Sequence, residues 1–188
     1  MITLRQATVS DGEALAKIYK YYVENTAITF EYIAPTDEEF SKRIAHKSEK
    51  YPFIVAEENG TPVGYAYASE YRERAAYAWD VETSVYVDRE FLGRGIGKRL
   101  CKALEEILKL QHVVNLYACV TYPNERSISM HESLGYNFVG KFHAAGFKNG
   151  EWHDVCWLEK QIISTSSPLP IIPYPLLDND SINKILIN

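Results

Sequence analysis

The stretch that most constrains the fold is residues 79–99, WDVETSVYVDREFLGRGIGKR, where an alternating apolar segment runs into three closely spaced glycines. Residues 81–87 alternate with a period of two, which predicts a β-strand with aliphatic side chains on one face and Glu82 on the other. From Lys98 onward, apolar residues recur every three or four positions, which predicts a helix that starts at the turn. Because glycines carry no side chains, backbone N–H groups at this helix N-terminus are free to surround an anion.

The glycine spacing separates this turn from two familiar phosphate-binding motifs. A dinucleotide fingerprint requires G-x-G-x-x-G, and a P-loop requires G-x-x-x-x-G-K-[ST]. In this chain Gly93, Gly95 and Gly97 alternate, and Lys98 is followed by arginine, so neither motif is present. The turn alone is also compatible with an ordinary strand-to-helix loop. The surrounding lysine and arginines favour an anion, because cations near a helix N-terminus are unfavourable unless a negative charge offsets them.

Composition limits the classes of partner. The 188 residues are 46% hydrophobic and fit one domain with a core large enough to hide a ligand site. A formal charge of −5 and a pI of about 5.6 disfavour nucleic acid and an anionic membrane as partners. The three cysteines are widely spaced without a C-x-x-C pair, so we expect no disulfide framework, no metal site and a reducing cytoplasm. No signal-like or membrane-length apolar run occurs, and we expect a soluble protein.

The order of predicted elements indicates an α+β fold. Ser10–Glu13 and Thr36–Glu39 have capping-box spacing and each predict the start of a helix. Asn59-Gly60 predicts a tight hairpin turn between two strands. In chain order, we expect a strand at 2–7, helices from 10 and from 36, strands at 53–57, 62–69 and 81–87, a helix from 98, a strand at 113–121, a helix at 124–134, and strands at 136–142 and 155–159. This order predicts a sheet layered by helices.

The last 25 residues differ in composition from the rest. A serine- and threonine-rich segment at 164–167 precedes four of the eight prolines of the chain. Proline at that density prevents regular strand pairing. We therefore assign residues 1–163 to the domain and 164–188 to a Pro-rich tail that is extended or disordered, or docked on the surface through its apolar residues.

A polar stripe lies on the predicted helix that begins near Asn124. Positions 124, 127, 131 and 134 share one helical face, so Asn124, Ser127 and His131 would border a cleft. Each also has a structural interpretation, as a helix cap, a first-turn hydroxyl and a hydrogen-bonded core histidine. Glu82 alone would equally suit a solvated or salt-bridged strand position. Their occurrence together with the glycine turn favours a functional site.

These segments resemble a known superfamily. GRGIG at 93–97 resembles motif A of the GNAT acetyltransferases, and NERSISMHESLGY at 124–136 resembles the next block of that superfamily. The segments at 79–87 and 144–155 are most similar to phosphinothricin N-acetyltransferases and methionine sulfoximine/sulfone acetyltransferases. The resemblance covers about residues 1–162. It implies a mixed, mostly antiparallel central sheet flanked by helices, with two parallel strands that splay at the cofactor site.

The resemblance implies acetyl-CoA as the co-substrate and no metal. Backbone groups of the strand would meet the pantetheine, the glycine turn would hold the pyrophosphate, and Asn124 with Ser127 would lie along the pantetheine arm. The residues concerned are Val85, Tyr86 and Val87 on the strand, and Gly93, Arg94, Gly95, Ile96, Gly97 and Lys98 in the turn. Leu92 departs from the family pattern, which usually has glutamine or arginine there. We therefore expect weaker or differently tuned cofactor binding.

The resemblance also implies the chemistry. Glu82 would be the general base that prepares the substrate amine for direct attack, and burial would raise its pKa. His131 takes the place of a tyrosine found in many GNAT enzymes and resembles the histidine of this branch. It would protonate the departing thiolate or act as a second base, and both roles stay open.

The acceptor would be a small amine, and a homodimer is implied by family likeness. The predicted acceptor-binding residues are Phe30, Arg72, Arg74 and Tyr77. Arginine suits the carboxylate of an amino-acid-like acceptor because its fork donates two parallel hydrogen bonds, although these arginines would also suit a solvated loop. Two alternatives stay open: a GNAT enzyme for a polyamine, an aminoglycoside or a protein N-terminus, and a non-catalytic acyl-CoA-binding sensor. A sensor would require neither Glu82 nor His131.

Overall fold

Seven strands form one open sheet in the computed structural model, which describes residues 1–187. The strands are β1 Ile2–Gln6, β2 Phe53–Glu58, β3 Thr61–Glu70, β4 Asp80–Val87, β5 Asn115–Tyr122, β6 Asn137–Lys148 and β7 Glu151–Gln161. Their order across the sheet is β1-β2-β3-β4-β5-β7-β6, and all neighbours are antiparallel except β4 and β5. The predicted α+β class with a mixed, mostly antiparallel sheet is confirmed.

Helices cover both faces of the sheet. They are α1 Gly12–Asn25, α2 Asp37–Ser48, α3 Ile96–Leu110, α4 Glu125–Glu132 and α5 Asn179–Ile187. On one face, α1 and α2 bury Leu15 and Ile44 against the aromatic rings of β2 and β3. On the other face, α3 and α5 pack against aliphatic side chains such as Val81 and Leu116. The central strands β2, β3 and β4 therefore contribute alternate residues to two separate apolar layers.

The helix after the glycine turn has the predicted buried stripe. Its members are Leu100, Leu104, Ile107, Leu108 and, just after the helix, Gln111, and each is at most 1% exposed. Gln111 is the polar exception, and its side-chain amide donates hydrogen bonds to the carbonyls of Lys50 at 2.8 Å and Ile172 at 2.7 Å. The stripe fixes α3 against the sheet, so the helix N-terminus has a fixed position relative to β4.

One of the two predicted capping boxes is confirmed. At the start of α2, the Glu39 N–H donates to Thr36 Oγ1 at 3.2 Å, and the Thr36 N–H donates to Glu39 Oε2 at 2.8 Å. The box predicted at Ser10–Glu13 is wrong. The Thr8 N–H donates instead to Asp11 Oδ2 at 2.7 Å, and a short 3-10 turn precedes α1. The physical reason is an ion pair across the chain, because Asp11 also accepts hydrogen bonds from the guanidinium of Arg5 on β1.

The two hairpins use the same turn chemistry. Asn59-Gly60 joins β2 to β3 with positive φ at both residues, as the sequence predicts. Asn149-Gly150 joins β6 to β7 in the same way, with φ of 54° and 82°. The predicted strands at 136–142 and 155–159 are therefore too short, since the hairpin continues to residue 148 and returns from residue 151. Its outer part is exposed and lacks apolar alternation, and this is why the pattern does not reveal it.

The C-terminal segment packs on the domain. A 3-10 turn at Tyr174–Leu176 and helix α5 follow the prolines, so residues 174–187 adopt the docked alternative and not the extended or disordered one. Ile182 and Leu186 recur at helical spacing and are 1% and 3% exposed, because they complete the apolar layer beside β1 and α3. Tyr174 is also buried, and its hydroxyl donates to Gln6 Oε1 at 2.7 Å. The domain boundary at residue 163 stays a prediction.

Replacing Asp11 with asparagine tests the ion pair that precedes α1. Burial opposes ionisation of this carboxyl, but hydrogen bonds from Arg5 and Thr8 outweigh it and lower the Asp11 pKa. The carboxylate therefore stabilises the fold above its unfolded-state pKa, and this stabilisation is lost as the pH falls through the lowered pKa. We expect Asp11→Asn to reduce the free energy of unfolding by about 1.5–3 kcal/mol at pH 7.

The measurement is urea unfolding at pH 7 and at pH 3. The difference between the two proteins should shrink at the lower pH. Glu24→Gln is the control, because Glu24 is half-exposed and its pair with Lys20 lies on the surface of α1; we expect a change below about 0.5 kcal/mol. A pH-independent loss in Asp11→Asn would contradict the electrostatic explanation.

Candidate active site

The parallel strands β4 and β5 separate halfway along their length. They pair only at Asp80 with Asn115, Val81 with Leu116 and Glu82 with Tyr117. Beyond these pairs, β4 continues beside β3 alone and β5 beside β7 alone. The edge of β4 from Thr83 onward therefore has no β5 partner, and its backbone groups are available to a ligand. The predicted splay of two parallel strands is confirmed.

A cavity of about 450 Å³ lies beside this free edge. The end of β4, the glycine turn, the start of α3 and one side of α4 enclose it. Ten residues predicted to bind the cofactor line it: Val85, Tyr86, Val87, Gly93, Gly95, Ile96, Gly97, Lys98, Asn124 and Ser127. The side chain of Arg94 does not line the cavity, because it pairs with Glu58 on β2 and lies over the ring of Phe91.

The glycine turn presents backbone donors to this cavity. Gly93 and Gly95 have φ of +79° and +75°, a left-handed conformation that other residues adopt with strain. Gly95 caps α3, and the first bond of the helix is donated by the Arg99 N–H to the Gly95 carbonyl at 3.0 Å. The N–H groups of residues 96–98 therefore have no acceptor in the helix and favour an anion. A Cβ on Gly97 would lie 3.2 Å from Met130 Sδ, so glycine lets α3 approach α4 closely.

His131 lies deeper, on the inner side of α4. Its ring is 4% exposed and stands nearly perpendicular to the ring of Tyr136, at 5.0 Å between centroids. The Nδ1 atom lies 2.8 Å from the Ser127 carbonyl, which can only accept, so Nδ1 carries the hydrogen. Burial lowers the His131 pKa, and this hydrogen bond offsets only part of the effect. His131 is therefore neutral at pH 7, with an unprotonated Nε2.

A smaller cavity of about 70 Å³ links His131 to the larger one. Asn124, Ser127 and Val85 line both spaces, so the two adjoin. The Asn124 side-chain oxygen accepts from the Ser127 N–H at 3.1 Å, which confirms Asn124 as the cap of α4. The predicted face of this helix is therefore present, and its polar members border a cleft.

Glu82 occupies the point at which β4 and β5 part. Its carboxylate is half-buried, and within residues 1–187 no side chain forms a hydrogen bond or an ion pair with it. Burial raises the Glu82 pKa, and the nearby Lys47 ammonium reduces this effect. Glu82 lines neither cavity, but its charge acts on Cys119, which lines the smaller one. A half-buried carboxylate with a raised pKa is suited to accept a proton.

The residues predicted to bind the acceptor lie outside these two cavities, in two separate parts of the structure. Phe30 packs near His153 of the β6–β7 hairpin, with 6.2 Å between ring centroids. Arg72 lies over the rings of Tyr71 and Tyr77, in the loop between β3 and β4, and Arg74 caps a 3-10 turn there. None of the four lines the two cavities beside β4. Their role in acceptor binding stays a prediction.

Several lining residues were missed by the sequence analysis. Arg126, Met130 and Ser133 follow each other at helical spacing on α4, so the same periodicity that found Ser127 would have found them. Tyr22 also lines the cavity, and its hydroxyl donates to the Val87 carbonyl at the end of β4. Tyr22 lies in the apolar stripe of α1, and nothing in the sequence distinguishes it from its core neighbours.

Residues 1–187 contain neither a metal-binding cluster nor a membrane-spanning helix. No group of three or more histidine, cysteine, aspartate or glutamate side chains has an arrangement that would hold a metal ion. Within the same residues, no helix is long and apolar enough to cross a membrane.

Comparison with known proteins identifies the family. Residues 4–157 match the family described as an acetyltransferase (GNAT) domain. The chain belongs to the GNAT acetyltransferases. It is 33% identical over 172 residues to a phosphinothricin N-acetyltransferase of Streptomyces viridochromogenes, covering 92% of this chain and 94% of that protein. It is 31% identical over 170 residues to an L-methionine sulfoximine/L-methionine sulfone acetyltransferase of Salmonella typhimurium, covering 89% and 98%.

A solved GNAT structure supports the same assignment. A phosphinothricin acetyltransferase from Sinorhizobium meliloti, crystallised in complex with acetyl-CoA, superposes with a TM-score of 0.85 at 32% identity. The superposition covers 92% of this chain and 98% of that one. The open sheet with splayed strands is therefore the GNAT fold, and the protein is an N-acetyltransferase of this family.

Replacing Gly95 with alanine tests the glycine turn. The positive φ at this position costs a residue with a Cβ about 1–2 kcal/mol, and relaxation of the turn would misalign the N–H groups at the start of α3. We expect Gly95→Ala to raise the Kd for acetyl-CoA roughly tenfold, since 1.4 kcal/mol is a factor of ten. Calorimetric titration measures it.

Gly140→Ala is the matched control, because a Cβ at Gly140 meets nothing within 4 Å and its φ is not in the left-handed region. This variant should bind acetyl-CoA like the wild type. Equal Kd values for all three proteins would show that the turn does not hold the cofactor.

Proposed function

We propose that this GNAT enzyme transfers the acetyl group of acetyl-CoA to the primary amine of a small amino-acid-like acceptor by direct attack. Glu82 is the general base. The observation that carries the proposal is the half-buried Glu82 carboxylate at the separation of β4 and β5, close to a cavity whose donors suit acetyl-CoA. The relatives named for phosphinothricin and for methionine sulfoximine support an amino-acid-like acceptor.

The cavity fits acetyl-CoA, the co-substrate of the GNAT family. The free N–H groups at the start of α3 suit its pyrophosphate, and the free edge of β4 suits the amide-bearing pantetheine arm. Asn124 uses its side-chain oxygen to cap α4, so its amide donors remain for that arm. Leu92 borders the cavity without a side-chain donor, and the phosphates therefore depend on backbone groups and on the lining cations Lys98 and Arg126.

The proposed reaction depends on the removal of one proton from the ammonium form of the acceptor amine. Acetyl-CoA supplies an activated thioester, and an amine attacks it only after losing the proton of its ammonium form. Glu82 accepts this proton, directly or through water, and its raised pKa brings it closer to the pKa of the amine. Backbone N–H groups on the free edge of β4 donate to the negative oxygen that develops during attack. Collapse of this intermediate breaks the C–S bond, and the departing CoA thiolate takes up the proton that the newly acylated nitrogen loses.

His131 has properties that favour the role of a second base over that of an acid. Its Nδ1 hydrogen is engaged by the Ser127 carbonyl, and its lowered pKa keeps Nε2 unprotonated at pH 7. An unprotonated Nε2 accepts a hydrogen bond or a proton and has none to give. Ser127 therefore acts as a positioning residue, because it fixes the tautomer of His131.

Glu82→Gln tests the proposed base. The amide cannot accept the proton, so we expect kcat to fall by roughly 10²-fold or more with little change in the Kd for acetyl-CoA. In the wild type, kcat/KM should fall as the pH drops through the Glu82 pKa. The midpoint of this acidic limb of the pH profile should lie above pH 4.5, because 4.5 is the ordinary glutamate pKa. The limb should be absent from the variant.

The measurement is thiol release from acetyl-CoA with a panel of amino-acid analogues, polyamines, aminoglycosides and an N-terminal peptide. Turnover confined to amino-acid analogues supports the proposed acceptor class. Turnover of a different amine would show that the acceptor belongs to that other class. Binding of acetyl-CoA without turnover of any amine would indicate a sensor. Normal turnover of Glu82→Gln across the pH range would remove Glu82 from the role of base.

We also propose that the enzyme is a homodimer that works in the cytoplasm. The β6–β7 hairpin carries exposed apolar side chains, each between 46% and 64% exposed: Phe138, Val139, Phe142, Phe147 and Trp152. An apolar surface of this kind on a soluble domain favours association. All three cysteines are unpaired and Cys119 is exposed, which suits a reducing compartment.

Sedimentation velocity tests the dimer. The wild type should sediment at about twice the protomer mass of 21.5 kDa, and Trp152→Glu should shift it toward the monomer because a charge in an apolar interface is left unpaired. Leu176→Glu is the control, since Leu176 is 74% exposed and lies outside the hairpin. A wild type that sediments as a monomer at micromolar concentration would contradict the dimer.

A further inference from the structure

A third cavity, of about 290 Å³, lies between α2 and β3 on the face of the sheet that carries Glu82. It shares no lining residue with the two cavities beside β4. Its charged and polar lining includes Tyr19, Glu31, Arg43, Lys47, Tyr65 and Tyr67. The proposed function so far leaves this space without a role.

The one carboxylate in the lining is already fully engaged. Arg43 donates two hydrogen bonds to Glu31, at 2.7 and 2.9 Å, and the Tyr19 hydroxyl donates a third at 2.9 Å. Lys148, which is 2% exposed and donates to the Thr29 carbonyl at 2.7 Å, adds a further positive charge near Glu31. The negative charge of Glu31 is therefore balanced without Lys47.

Lys47 has no ion-pair contact among the described residues. Its Nζ lies 4.4 Å from the centre of the Tyr67 ring, a cation–π contact. Among residues 1–187, no carboxylate lies within ion-pair distance of this ammonium. Burial and the neighbouring Arg43 lower the Lys47 pKa, and the charge of Glu82, which makes no ion-pair contact with Lys47, offsets only part of this effect.

A second polar group in the same cavity lacks a partner. The Tyr65 side chain is fully buried, and its hydroxyl makes no hydrogen bond with any described residue. Buried hydroxyls nearly always have a partner, so the Tyr65 hydroxyl calls for an oxygen from a ligand or a water molecule. The ring of Tyr65 forms part of the cavity wall, and an oxyanion in the cavity would pair with the Lys47 ammonium.

The cavity also lies near the proposed general base, Glu82. Burial raises the Glu82 pKa, and the Lys47 ammonium reduces this increase. The charge of Glu82 in turn contributes to the raised pKa of Tyr67, which lines the cavity. On β3, Tyr67 pairs with Ser84, two residues along β4 from Glu82 and on the same face. An acceptor whose amine faces Glu82 would therefore extend its side chain toward Lys47.

We propose that Lys47 binds the side-chain acid of the acceptor, so that the favoured substrates are amino acids with a carboxylate or phosphinate side chain. This inference rests on the proposed acetyltransferase function and specifies its acceptor. The α-carboxylate is a separate group, for which Arg72 and Arg74 are the predicted partners. Lys47 and Arg74 therefore recognise different ends of one acceptor.

Two acceptors of similar shape separate these roles. Phosphinothricin carries an anionic tetrahedral phosphinate, whereas methionine sulfone carries a neutral tetrahedral sulfone, and both have an α-carboxylate. We expect Lys47→Met to raise KM for phosphinothricin at least tenfold and to change KM for methionine sulfone less than twofold. Lys47→Arg should keep most of the affinity for phosphinothricin. Arg74→Ala should raise KM for both acceptors.

The control is Lys42→Met, because Lys42 lies exposed on the same helix and does not line this cavity. It should match the wild type with both acceptors, and all variants should bind acetyl-CoA equally. If Lys47→Met impairs both acceptors equally, Lys47 only supports the fold or adjusts Glu82, and the inference is overturned. An unchanged KM for phosphinothricin overturns it as well.

Failure of the proposed function is distinguishable from failure of this inference. If the wild type acetylates neither compound, the acceptor assignment fails, and calorimetric binding of phosphinothricin to the CoA-loaded enzyme decides on Lys47. Binding that is lost in Lys47→Met and kept in Lys42→Met supports the anion site. Binding that is absent from the wild type, or equal in both variants, overturns it.

Discussion

The separation of β4 from β5 after Glu82 and Tyr117 is the constraint on which the rest of the site depends. A paired strand has no free backbone groups, and a free strand edge inside a protein is unfavourable unless a ligand or solvent meets it. The two strands part because each keeps its other neighbour, β3 for β4 and β7 for β5. Helices α3 and α4 border the gap, and their close approach at Gly97 and Met130 gives the cavity its wall.

Burial has opposite effects on the pKa values of the two titratable residues of the site. It raises the pKa of Glu82 and lowers that of His131, and in both cases it favours the uncharged form. For Glu82 this shift moves the pKa toward the range in which proton transfer at neutral pH is efficient, whereas for His131 it moves the pKa away from neutrality and favours the neutral imidazole. Lys47 opposes the effect of burial on Glu82, so an anion bound to Lys47 would weaken that opposition and make Glu82 a stronger base.

The cofactor side of the site could be predicted from the sequence because its signals are local. The period-two strand, the glycine turn and the face of α4 each occupy a few neighbouring residues, and the structure brings Val85, Gly95 and Asn124 together as expected. The proposed Lys47 site could not be predicted in this way, because it joins distant segments. Lys47 resembles any surface lysine of α2 until the fold sets it over Tyr67, and the pair of Asp11 with Arg5 depends on the placement of α1 beside β1. In the C-terminal segment, the density of prolines argues against regular structure, so the sequence does not predict the short helix α5. The burial of this helix depends on the rest of the core.

The C-terminal segment also bears on how the protein is made. The Leu169 carbonyl accepts a hydrogen bond from the Trp79 indole at 2.7 Å, and Tyr174 and Ile182 belong to the same apolar layer as Leu4 of the first strand. The layer beneath β1 is therefore incomplete while the ribosome still holds residues 174–187. Until these residues emerge and pack, the apolar side chains of this layer are exposed to chaperones and proteases.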